Sequence, residues 1–178
     1  MRILMLAAVA ALMAAPALAQ DAADAGLDLP PIVMSTEHPD EEAVDPYERS
    51  NANADAAPFE GAAMWEAFHG EAGVSRLVDD FVDRATTDPR ISETFVSHDL
   101  VRLRRTLKEQ FGYILGGPVT YTGRDMEAAH RDLGLQAADM GALVEILQQA
   151  MSAEGVAFPA QNRFLAKLAP MRRDIVTR

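Results

Sequence analysis

Between Leu100 and Ile114 the apolar residues Leu100, Leu103, Leu107, Phe111 and Ile114 recur at steps of three and four. That spacing gathers them on one face of an α-helix and fits no strand. The same rhythm returns over Val74–Thr86, where Leu77, Val78, Phe81, Val82 and Ala85 share a face. It returns again over Ala138–Glu154 through Met140, Leu143, Val144, Leu147 and Met151, and over Pro159–Val176 through Phe164, Leu168, Met171 and Ile175. Shorter helical stretches are expected at Ala62–Phe68, Ile91–Phe95 and Asp125–Arg131. The punctuation agrees: Asp88-Pro89, Gly116-Gly117-Pro118 and Gly155 stop helices, Ser97 or Asp99 can cap the long one, and Pro159 suits a first turn. No segment alternates apolar and polar residues, and no internal repeat is visible. The predicted fold class is all-α.

That helical pattern occupies residues 60–178, and what precedes it differs in kind. Residues 1–19 combine a basic start (Met1-Arg2), an apolar run from Ile3 to Ala15 and the small-residue pattern Ala17-Leu18-Ala19. They are expected to be a signal peptide, cleaved before Gln20, with a periplasmic destination. Roughly 20 apolar residues are needed to span a bilayer, so an uncleaved anchor is the weaker alternative, and no stable membrane insertion is expected after cleavage. Residues 20–59 are rich in Ala, Asp, Asn and Pro, and hold ten acidic residues against Arg49 alone. They are expected to be an acidic, disordered spacer. The remaining domain, with seventeen acidic and fourteen basic residues, is nearly balanced. Neither segment offers the basic surface that nucleic acid requires.

The chain has no cysteine and four histidines. That excludes a disulfide framework, thiolate ligation of a metal and thioether attachment of a haem. Among the histidines, His130 stands out. It lies near the end of the short helix Asp125–Arg131, four residues after Met126, so both side chains fall on one side of that helix. A neutral imidazole aimed into an apolar pocket is a common way to hold a haem iron. His38 lies in the spacer and is given no ligand role.

Residues 63–176 resemble the group I truncated haemoglobins, the two-on-two bacterial globins. The resemblance is carried by several motifs in order: Leu77-Val78-Asp79-Asp80-Phe81, then Phe95, then Leu115-Gly116-Gly117-Pro118 and Tyr121-Thr122-Gly123. Met126 with His130, Gly134 and Leu168-Ala169-Pro170 complete the set. It implies a truncated globin fold and a non-covalent haem b whose iron is ligated by His130. Phe95 would wedge against the porphyrin, and Phe81, Phe111 and Met126 would line its pocket. Arg102, Arg104, Arg105 and Lys108 form a basic cluster on the long helix. Either one or two of them pair with haem propionates, or the cluster is a solvated face balanced by Glu109.

On the side facing the gas the chain departs from the family pattern. A tyrosine often follows the Asp-Phe of the second helix, and a glutamine often stands on the long helix. Here those positions are Val82 and Leu107, with Leu103 beside them. A hydrogen bond to a charged partner contributes about 1.5–3 kcal/mol, roughly a tenfold to hundredfold change in affinity. Without a donor, dioxygen should bind weakly, with carbon monoxide and nitric oxide relatively favoured. His69 and His98 are expected to lie too far away to ligate the iron. The implied function is reversible binding of diatomic gases. A haem-free helical interaction module is the alternative from another class. Nitric oxide dioxygenase or peroxidase-like redox activity is a third reading, and it would need an unidentified electron donor.

Overall fold

The computed structural model describes residues 38–176. The expected signal peptide, and the spacer up to residue 37, lie outside the described residues. Among the described residues there is no β-strand, and no helix is long and apolar enough to cross a membrane.

Seven α-helices follow in order: α1 (Ala63–Ala67), α2 (Gly70–Thr87), α3 (Leu100–Ile114), α4 (Met126–His130), α5 (Ala137–Ala153), α6 (Phe158–Leu168) and α7 (Arg172–Ile175). α2 packs on both α3 and α5, and α5 packs on α6. The result is one helical pair, α2 with α3, joined to a second pair, α5 with α6. Between them lies a core whose largest fully buried side chains include Phe68, Leu77, Ile114, Ile146, Met151 and Phe164. Phe164 stands edge-on to two rings, Phe68 at 5.1 Å and Phe111 at 5.0 Å between centroids, the geometry that aromatic quadrupoles favour.

Local chemistry sets the boundaries. Asp99 caps α3, its side chain accepting from the amides of Val101 and Arg102. Gln136 and Asp139 close a reciprocal capping box at the start of α5. After α3 the chain must turn at once, and Gly116 supplies a φ of +84°. A Cβ there would lie 2.7 Å from the carbonyl oxygen of Phe59, so both the backbone and the space require glycine.

Two expectations fail. The last helix does not run unbroken from Pro159 to Val176. It stops at Leu168, passes through a 3₁₀ turn at Ala169–Met171, and resumes as α7. Pro170 lacks the N–H that an α-helical interior needs, and its ring crowds the preceding turn.

The second failure is the spacer. Over residues 38–59 the chain is not a free tail but lies along the helical body. Glu41 pairs with Arg102 and Arg105, and Tyr47 donates to the Thr122 carbonyl at 2.8 Å. A 3₁₀ turn at Asn51–Ala54 buries Ala54 completely against α3. The Phe59 amide then donates to the Ile114 carbonyl at 2.8 Å. An acidic, proline-containing stretch can dock without apolar periodicity when its backbone and side chains find this many specific partners.

Candidate functional site

α3, α4, α5, α6 and α7 enclose a cavity of about 510 Å³. A smaller cavity of about 110 Å³ adjoins it on the side of α2 and Phe95. Phe81, Leu107, His130, Met140, Leu143 and Ile175 line both. The walls are almost wholly apolar, so the pair forms one slot with few polar groups.

The slot's chemistry centres on α4. Asp125 caps this one-turn helix, accepting from the Ala128 amide at 2.7 Å. The helix is so short that its last residue, His130, can still bond back to its first. His130 Nδ1 lies 2.7 Å from the Met126 carbonyl oxygen. A carbonyl only accepts, so Nδ1 carries the hydrogen and Nε2 keeps its lone pair. Burial holds the imidazole below its ordinary pKa, and the charge of His98 adds to that effect, while the bond to Met126 opposes it. The neutral, ligating form is thereby favoured.

All eight residues named from the sequence reach these walls. Phe81, Leu107, Phe111, Met126 and His130 line the larger cavity. Phe81, Val82, Phe95, Leu103, Leu107 and His130 line the smaller. Val82, Leu103 and Leu107 contribute only hydrocarbon, which leaves this side of the slot without a donor from α2 or from those two positions of α3.

The polar lining residues of α3, Thr106 and Gln110, were missed. Both are committed elsewhere. Thr106 Oγ1 donates to the Arg102 carbonyl at 2.9 Å. Gln110 is buried; its Nε2 donates to the Ala54 carbonyl at 3.2 Å and sits 3.5 Å from the Met126 sulfur. The signal for Gln110 was available, since it stands three residues after Leu107 on the apolar face of α3.

The basic cluster does not face the slot. Arg102 pairs with Glu41 and Asp99, Arg104 with Asp79 and Asp83, Arg105 with Glu41 and Glu109, and Lys108 with Asp79. The propionate-binding option for these four is therefore set aside: carboxylates of α2, α3 and the N-terminal segment already occupy them. The cation among the lining residues of the larger cavity is instead Arg172, on α7. His69 stands at the N-cap position of α2, and its side chain contacts Glu154 at 3.1 Å. His98 is exposed and donates its backbone amide to the Phe95 carbonyl. Neither lines the slot. Among the described residues, no group of three or more His, Asp or Glu side chains gathers to hold a metal ion.

A family model described as bacterial-like globin matches residues 63–177. A group 1 truncated hemoglobin of Mycolicibacterium paratuberculosis is 29% identical over 118 residues, covering 66% of this chain and 87% of its own length. Among solved structures, the 2/2 hemoglobin of a Synechococcus species, in a cyanomet state with covalently attached heme, superposes with a TM-score of 0.60. It is 26% identical, with 65% of this chain and 98% of that one covered. The Fe(III) form of a truncated hemoglobin from Tetrahymena pyriformis gives a TM-score of 0.62 at 24% identity, again over 65% and 98%. At that identity the likeness speaks to the fold alone.

Proposed function

The chain belongs to the bacterial-like globin family, and on that premise we propose that it binds haem through His130 and takes up diatomic gases reversibly. The observation that carries this reading is the imidazole itself: Nδ1 is tied to the Met126 carbonyl, which leaves Nε2 free at the wall of an apolar slot. The slot's volume, about 510 Å³, falls in the range of about 300–1,000 Å³ typical of cofactor and ligand sites.

Haem supplies the iron at which a gas binds; the protein's part is one neutral imidazole, dry walls and orientation. Phe81, Phe95, Phe111 and Met126 provide apolar surface for the macrocycle. Arg172 is the cation placed to meet a propionate. We propose non-covalent haem b. The chain has no cysteine, and α5, α6 and α7 carry no histidine that could form a link. The group I character suggested by the motifs belongs to the same proposal.

Val82, Leu103 and Leu107 give the gas a hydrocarbon environment, which favours carbon monoxide and nitric oxide over dioxygen. Nitric oxide dioxygenation or peroxide turnover would need an electron donor and a polar acid–base group, and these three positions supply no such group. Gas binding is therefore the activity proposed. We also propose export to a periplasm, on the strength of the basic start, apolar run and Ala17-Leu18-Ala19. Cell fractionation and the mass of the mature N-terminus test that.

The deciding experiment is the absorption spectrum of the haem-reconstituted mature protein beside His130→Ala, ferrous and with carbon monoxide. A five-coordinate ferrous spectrum that shifts with carbon monoxide, and is lost or altered in the variant, is expected. Absence of haem uptake by the wild type would overturn the reading and leave a helical interaction module.

A further inference from the structure

We propose that residues 41–59 form a clamp on the segment carrying His130, and that Asp55 is its positioning residue. The family match begins at residue 63, so residues 41–59 lie ahead of the matched segment. Its role toward an iron ligand rests on the reading of His130 given above; its grip on α4 does not.

The clamp meets the stretch before α4 almost residue by residue. Asn51 Oδ1 accepts from the Tyr121 amide at 2.8 Å. Tyr47 Oη donates to the Thr122 carbonyl, and Asn53 Nδ2 to the Gly123 carbonyl at 3.1 Å. Arg124 donates to the Asp45 carbonyl and lies over the Tyr47 ring, 5.2 Å from its centroid. Finally, Asp55 Oδ2 accepts from the Met126 amide at 3.1 Å. Without the clamp, the backbone groups of Tyr121, Thr122, Gly123 and Met126 would lose these partners.

Asp55 is the critical point because of what Met126 does next. The Met126 amide is held by Asp55, and its carbonyl is the acceptor for His130 Nδ1. One residue thus links the clamp to the imidazole. Asp55 reaches it from a left-handed backbone conformation, φ 55°, just past the 3₁₀ turn. Such a conformation is uncommon outside glycine, and Asp and Asn tolerate it best. The same turn presents the Ala54 carbonyl to Gln110 of α3, so a single feature fastens both α3 and α4 at the edge of the slot. At the other end, Glu41 anchors the clamp to Arg102 and Arg105.

The test compares Asp55→Ala with Asp55→Asn in the full mature chain. Asparagine keeps a side-chain oxygen acceptor and the tolerance for positive φ; alanine keeps neither. Amide hydrogen exchange is followed first in the haem-free protein. Asp55→Ala should speed exchange over residues 121–130 about tenfold to hundredfold, the loss expected for one charge-assisted hydrogen bond. Asp55→Asn should restore most of the protection, and the amides of α2 and α5 should be unaffected in both. In the reconstituted ferrous protein, the iron–histidine stretching frequency should shift in Asp55→Ala and return in Asp55→Asn. Should Asp55→Ala fail to fold, Tyr47→Phe removes only the bond to Thr122 and should raise exchange locally over 121–126. Unchanged exchange over 121–130 in the folded variant would overturn the clamp. Changed exchange with an unshifted iron–histidine frequency would overturn the positioning role. Failure of the wild type to take up haem would instead count against the gas-binding reading, with the exchange result still deciding the clamp.

Discussion

Replacing Leu107 by glutamine places a hydrogen-bond donor beside Val82 and Leu103, where the wall offers only hydrocarbon. Leu107 lines both cavities, and the nearby polar side chains of Thr106 and Gln110 already donate to backbone carbonyls. Glutamine is close to leucine in size, so packing changes little. Two energies then compete. Without a gas, an amide facing the slot loses solvation, a cost of about 1–3 kcal/mol for an unsatisfied buried group. Leu107 is only half-buried, which puts the cost at the lower end. With dioxygen, which carries partial negative charge when bound to ferrous haem, the new bond returns about 1.5–3 kcal/mol. Carbon monoxide carries less charge and gains less. Stopped-flow and flash-photolysis measurements on wild type, Leu107→Gln and a Leu107→Met control read both ligands. Dioxygen dissociation should slow about tenfold to hundredfold in the glutamine variant, while carbon monoxide dissociation moves by less than about threefold. The methionine control should match the wild type. If wild-type dioxygen dissociation is already as slow as in Leu107→Gln, a native donor faces the gas and the apolar reading is wrong.

Phe164→Ala removes the central ring of the Phe68–Phe164–Phe111 contact and should cost about 3–5 kcal/mol; urea denaturation yielding less than about 1 kcal/mol would show that these rings contribute little. Glu41 has its carboxyl held below the usual range, foremost by its hydrogen bond to Arg105 and against its own desolvation. The unfolded chain therefore takes up that proton first as pH falls. The stabilisation is present above the ordinary value of 4.5 and is lost as pH drops through the folded value. Glu41→Gln should accordingly lower stability by about 1–3 kcal/mol at neutral pH, with the gap to wild type closing as pH falls below 4.5 and through the folded value; a gap that persists in acid would refute the assignment. Gly116→Ala should destabilise by about 1–3 kcal/mol, from positive φ and the Phe59 carbonyl. Gly141→Ala on α5, where a Cβ meets nothing within 4 Å, should stabilise by about 0.5–1 kcal/mol. Thermal melts of the two glycine variants should move in opposite directions.

The helices were legible because each buries one face, and a buried face imposes a three-and-four spacing on apolar residues. The slot was legible for the same reason: Phe81, Leu107 and Phe111 are core-facing by period, and His130 stands on the same side of its helix as Met126. What periodicity cannot register stayed hidden. The clamp is held by backbone carbonyls and by the polar side chains of Tyr47, Asn51, Asn53 and Asp55, whose partners lie far along the chain. The two readings of the basic cluster stayed open for a related reason, since Asp79, Asp83 and Glu41 become its neighbours only once α2 and the clamp have packed on α3. The break at Pro170 was visible in principle, because proline lacks the amide that a continuous helix would use.

The clamp also bears on the order in which the molecule assembles. Its side-chain bonds to the helical body span from 56 positions, at Ala54 and Gln110, to 79, at Asp45 and Arg124. Closing loops of that length costs chain entropy, and none of these bonds can form before the intervening helices have been made. During synthesis, residues 41–59 leave the ribosome before every residue they will hold. They must wait, without their partners, until α3 and the approach to α4 exist. Until then the Met126 amide lacks its Asp55 partner, so the segment carrying His130 is fastened only after synthesis has passed it.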